Sequence, residues 1–201
     1  MKFFKKLLSA ALAALIVITA AGCGTELLEI TELSGSSYDL PEVTSGQSSS
    51  QSSQVTGKTY SMADIKNLKN TGHFAKKTLE HIFDGTINGK GKATGYHYSM
   101  IPDSKGKIID GTRCEPDENG VFTGKVEVNG VEKNGFSSFY PESWSPQEVV
   151  DAINTAYDDA LSDPNNPQGQ LWIGYCGDIE IDMYLNSSKQ ITTAYPVYEG
   201  D

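Results

Sequence analysis

The stretch VFTGKVEVNGVEKNGFSSFYPESWSPQEVVDAINTAYDDALSDP, residues 121–164, changes its periodicity once, and that change decides the fold class. Val121 to Val128 is rich in β-branched residues and alternates at its end, which predicts a strand. Asn129-Gly130 marks a turn, and Gly135 to Tyr140 predicts the returning partner. Then comes Ser145-Pro146-Gln147-Glu148, a capping box with proline at the first helical position. Val149, Val150, Ile153, Ala156, Tyr157 and Leu161 follow at the spacing of one buried helical face, and Asp163-Pro164 stops the helix.

Working outward, Ser61 reads as the N-cap of a short helix over Met62 to Leu68. A second helix is predicted over Phe74 to Phe83, ended by Gly85. Tyr96 to Ile101 reads as a strand. Pro102 to Gly120 is full of turn dipeptides and predicts a long loop with one short strand at Lys107 to Ile109. Beyond the central helix, Leu171 to Cys176, Ile179 to Leu185 and Gln190 to Tyr198 predict three strands. Asp182, between Ile181 and Met183, fits a half-buried antiparallel sheet. The expected class is α+β: N-terminal helices, then antiparallel sheets with one central helix.

The N-terminal residues carry a different message. Lys2, Lys5 and Lys6 precede an uncharged, mostly apolar run from Leu7 to Ala21, the pattern of an export signal over residues 1–22. Ala20-Ala21-Gly22-Cys23 resembles a bacterial lipobox, with Ala20 where leucine is commoner. That resemblance implies cleavage before Cys23, a lipid on its sulfur, and anchoring on the outer face of the cytoplasmic membrane. Residues 23–57 read as a tether, since SGQSSSQSSQ at 45–54 cannot bury enough apolar surface to fold. Residues 58–201 are then the folded domain, large enough for one core.

Charge narrows the function classes. Taking three leader lysines and five tether acids from the chain's 16 basic and 26 acidic residues leaves 13 and 21, a formal charge of −8 for the domain. A broad nucleic-acid surface is disfavoured, because backbone affinity comes from Lys and Arg neutralising phosphates. A local basic pocket is not. Lys76, Lys77, Lys90, Lys92, Lys105, Lys107 and Arg113 form the most basic tract, and it brackets His81 and His97. Two histidines brought together by a glycine-permitted turn (Gly85 to Gly95) could act as general base and general acid, imidazole having an unperturbed pKa of about 6.5. As ordinary residues, His81 would end a helix and His97 sit mid-strand. His73 reads as a surface or helix-start residue. Cys114 and Cys176 could pair in an oxidising compartment or remain two buried thiols, and both readings stay open. No metal-ligand spacing is recognisable.

Four pieces in order, HIFDG (81–85), GYHY (95–98), SFYPESWSPQEVVDAI (138–153) and TAYP (193–196), resemble the EndoU-type endoribonucleases, especially the bacterial domains found as toxin modules. The resemblance covers about Phe74 to Tyr198. It implies an RNase without a cofactor that cleaves by transesterification, with His97 as base and His81 as acid. It implies contacts to uracil from Thr193 and packing of Tyr195 against the sugar or base; residues two apart on a strand share a face. The viral and animal members place a lysine on the strand before the central helix, and here that strand has none. Ser138 occupies about the right place, while Lys133 and Lys125 could reach in without being placed by a motif. The competing expectation is a catalytically weak or inactive EndoU-like domain that binds RNA or a protein at the cell surface. Toxin members usually need an immunity protein; one is compatible with this chain but not implied, since export leaves the cell's own RNA out of reach.

Overall fold

The computed structural model describes residues 58–200. The leader, Cys23 and the tether to residue 57 lie outside the described residues. In chain order the elements are α1 (Met62–Ile65), α2 (Thr78–Phe83), β1 (Thr86–Ile87), β2 (Ala93–Thr94), β3 (Gly106–Ile108), β4 (Phe122–Val128), β5 (Val131–Phe139), α3 (Pro146–Ser162), β6 (Leu171–Cys176), β7 (Ile179–Leu185) and β8 (Ile191–Pro196). The strands form two three-stranded antiparallel sheets, β3-β4-β5 and β6-β7-β8, and a two-stranded ribbon, β1-β2. The class is α+β, as the period change predicts.

α3 forms where its cap says it should. The Ser145 hydroxyl accepts from the Glu148 amide, and the Glu148 carboxylate accepts from the Ser145 amide. Its stripe of Val149, Val150, Ile153, Ala156 and Tyr157 is buried, each large aliphatic side chain contributing about 1.5–3 kcal/mol, but Leu161, expected on that face, is exposed and Ala160 is buried in its stead. The helix lies so close on β6 that a Cβ at Gly174 would come within 1.9 Å of the Ala156 carbonyl oxygen. This layer, with α2, makes the larger core; Tyr96, Phe122, Val126 and Phe139 make a second, smaller one on the β3-β4-β5 sheet.

Where the elements differ from the sequence reading, tertiary hydrogen bonds explain why. α1 ends at Ile65, not Leu68, because Asn67 and Leu68 donate three residues back and tighten the chain into turns. α2 begins at Thr78, not Phe74. The preceding segment is taken by β8, with the Ala75 amide on Ile191 O, the Ile191 amide on His73 O, and Lys77 turned to φ +71°. Tyr96 to Ile101 forms no strand. Tyr96 and His97 instead donate to the carbonyls of His81 and Ile82 at the end of α2, and His97 O accepts from Tyr140. β5 starts at Val131 rather than Gly135, straight from the Asn129-Gly130 turn, both residues of which have positive φ. β3 begins at Gly106, one residue before the expected strand, and β8 stops at Pro196, two residues short of Tyr198.

The two cysteines are free thiols. Cys176 packs on the larger core and Cys114 on the smaller one, where it meets the amide and hydroxyl of Thr123. The disulfide reading is therefore not met. His73 is exposed, as expected of a surface residue, and stacks on Tyr157 at 4.6 Å.

Candidate active site

His81 stands in the last turn of α2, and its position is set by the backbone opposite. Gly95 has φ +75°, and a Cβ there would lie 2.1 Å from the His81 carbonyl oxygen and 2.9 Å from its ring. Only glycine lets the two segments approach this closely. The ring is held by a short relay: His81 Nδ1 is 3.1 Å from Thr86 Oγ1, itself 3.0 Å from Thr94 Oγ1. Thr94 donates to the Thr86 carbonyl, so Thr86 donates to Thr94 and is left to accept from His81 Nδ1–H. Nε2 is then the nitrogen available for proton exchange. The β1-β2 ribbon, read from sequence only as a glycine-rich turn, exists to pair these two threonines (Thr86 opposite Thr94).

His97 is locked more simply. Its Nδ1 lies 2.8 Å from the Ser138 carbonyl, which can only accept. Nδ1 must carry the proton and Nε2 the lone pair. Its ring stacks on Tyr195 at 5.4 Å between centroids, and the His81 ring is 6.3 Å away.

Lys133 arrives by a bulge. Lys125 pairs with Phe136 and Glu127 with Glu132, so Lys133, Asn134 and Gly135 share the place opposite Val126, with Gly135 at φ +80°. The bulge turns the Lys133 ammonium to Ser137 Oγ at 2.7 Å and Gly95 O at 3.3 Å, and Ser137 donates to the same carbonyl at 3.2 Å.

His81, His97, Lys133, Ser138, Thr193 and Tyr195 thus line one cleft of about 370 Å³, with Thr94, Gly95 and Phe136 completing the wall. Lys125 is exposed on β4 and is not part of it. Sequence reasoning missed Ser137, Thr86, Thr94 and Phe136; the only signal for the threonines is that each adjoins a glycine at one end of the ribbon. Among the described residues no three His, Cys, Asp or Glu side chains are grouped as a metal site requires.

Burial and the lysine charge dominate the electrostatics. Burial first, then Lys133, lowers His81 to about 4. His97 falls to about 3 for the same two reasons in the same order, against the opposing hydrogen bond to Ser138. Burial brings Lys133 down to about 8. On β7, Asp182 opposite Tyr195 is raised to about 6, chiefly by burial and then by Glu180, and burial first, then Asp182, pushes Tyr195 up to about 12. At neutral pH the cleft holds two neutral imidazoles and an ammonium, a cationic site with proton acceptors beside it.

A family model described as bacterial EndoU nuclease matches residues 75–198. A toxin of Bacillus cereus is 42% identical over 135 residues, which cover 66% of this chain and 24% of the toxin. The chain therefore spans about a quarter of that relative's length.

Proposed function

The chain belongs to the bacterial EndoU nuclease family, and on that premise we propose that it is an endoribonuclease cutting RNA at uridine by two-histidine transesterification. His97 Nε2 takes the proton from the ribose 2′-OH, and the 2′ oxygen attacks phosphorus. The bond to the 5′ oxygen breaks, and protonated His81 returns a proton to it through Nε2. The products are a 2′,3′-cyclic phosphate and a 5′-hydroxyl, with no net gain or loss of protons. The observation that carries this assignment is the carbonyl lock on His97 Nδ1, which dedicates the other nitrogen to accepting a proton.

The strand before α3 does carry a lysine, because β5 starts at Val131 rather than Gly135, and Lys133 takes the part of the lysine that the viral and animal members place there. Its ammonium is aimed by Ser137 and Gly95 at the place where charge grows on the pentavalent phosphorus. The Ser138 hydroxyl supports the same oxygens. A phosphate anion in the cleft counters the Lys133 charge and raises both imidazoles, which lets His81 carry its proton. Thr193 and Tyr195, on one face of β8, receive the uracil and its sugar.

We also propose that Cys23 carries a lipid that holds the enzyme on the outer face of the membrane, so that no inhibitor protein is needed. Loss of labelled fatty acid in Cys23→Ala, and toxicity only when the leader is deleted, are the expected results.

The activity test is incubation of the full chain with a uridine-containing oligonucleotide in EDTA, beside His81→Ala and His97→Ala. Cutting by the wild type alone is expected. Cutting that survives in both variants, or absence of cutting by the wild type, overturns the proposal.

A further inference from the structure

The catalytic cleft is not the only cavity that His81 walls. A second one of about 460 Å³ also has His81 in its lining, with Lys76, Lys77, Lys105, Thr192 and one acid, Glu80. Lys105 is spoken for: it contacts Asp84 and lies 3.5 Å from Glu80. Lys76 and Lys77 are exposed and take part in no ion pair among the described residues. Their backbone is seated firmly, since the chain on either side bonds to β8 through the Ala75 amide and the Thr78 hydroxyl, both on Ile191 O. Two uncompensated ammonium groups on a fixed base, in a domain of formal charge −8, are a local attraction for an anion.

We propose that this cavity binds the phosphates of the RNA strand 3′ to the cut. The inference rests on the nuclease reading above and deepens it. If His81 protonates the departing 5′ oxygen, the nucleotide owning that oxygen is on the His81 side of the scissile phosphate. Past His81 the strand meets Lys76 and Lys77, and their charges meet its next phosphates. The 5′ strand leaves by the Thr193 and Tyr195 side and gains nothing from them.

The test uses the full chain and two fluorescent RNA probes, each with one 2′-deoxyuridine so that attack by a 2′ oxygen at the reading site is impossible. One probe is extended only on the 3′ side of the deoxyuridine, the other only on the 5′ side. Anisotropy should show tighter binding of the 3′-extended probe, and Lys76→Ala/Lys77→Ala should remove that advantage. Each phosphate contact to a single strand contributes a salt slope of about 0.7, so two contribute about 1.4. Between about 50 and 200 mM salt the wild type should lose roughly sevenfold more affinity for the 3′-extended probe than the variant does. Equal weakening for both probes, loss confined to the 5′ extension, or no change at all overturns the proposal; no change would point to an acidic protein as the patch's partner. Cleavage of a uridine dinucleotide by the wild type, a substrate too short to reach the lysines, reports on the nuclease reading separately.

Discussion

Replacing Gly95 by alanine separates two physical effects that usually arrive together. At φ +75° any Cβ carries a backbone cost of about 1–2 kcal/mol. Here the new carbon would also sit 2.1 Å from the His81 carbonyl oxygen, where ordinary contact begins near 3.4 Å. Something must move by more than an ångström, and what lies there is the proposed acid and its ring, 2.9 Å away. The Gly95 carbonyl also takes hydrogen bonds from Ser137 and Lys133, so the displacement spreads to the ammonium. Misplacement by about 1 Å can cost about 100-fold in rate. Gly91 supplies the control: its φ is +73°, and nothing lies within 4 Å of the Cβ it would gain. Gly91→Ala should lose about 1–2 kcal/mol in urea unfolding and keep kcat/KM within about twofold. Gly95→Ala should lose more stability and about 100-fold or more in kcat/KM on a uridine oligonucleotide. Equal activity in the two variants would refute the claim that close approach of Gly95 places His81.

Lys133→Met should lower kcat/KM by about 10²–10³. It should also raise both imidazole pKa values part of the way toward 6.5, because burial and then the lysine charge hold them down, and only the second is removed. NMR titration would show this, and unmoved histidine resonances would count against the lysine's placement. Stability should fall as pH drops below about 6.5, where the unfolded histidines take up protons that the folded ones, at about 4 and about 3, refuse. The limiting slope is about 1.4 kcal/mol per pH unit per imidazole; Asp182, raised to about 6, opposes it because the folded carboxyl takes a proton first. His81→Asn should flatten the decline, and an unchanged slope would remove His81 as its source. Phe136 is 59% exposed on the wall of the cleft. Phe136→Ala should leave folding intact and weaken RNA binding by about 1–3 kcal/mol, the loss of one stacked base; unchanged binding would make the ring incidental.

How much of this was legible depended on how local the cause was. α3 could be read because Ser145-Pro146 and Glu148 cap it by themselves. The histidines and the Thr193/Tyr195 pair could be read because strand alternation and motif order carry them. Lys133 could not be placed, since its position comes from a bulge that only the pairing of β4 with β5 reveals. Tyr96 to Ile101 reads as a strand in composition, but its donors are claimed by the end of α2. Phe74 has the spacing of a helical residue, yet β8 takes its neighbours' hydrogen bonds first. Ser137, Thr86 and Thr94 act through hydroxyls that nothing in the local pattern distinguishes from surface residues.

The chemistry of the cut ends tests the two-imidazole account most directly. Mass spectrometry of a uridine-containing RNA treated with the full chain should find a 2′,3′-cyclic phosphate facing a 5′-hydroxyl, and a strand with 2′-deoxyuridine at that position should stay whole. A 3′-hydroxyl facing a 5′-phosphate, or scission of the deoxy strand, would contradict it.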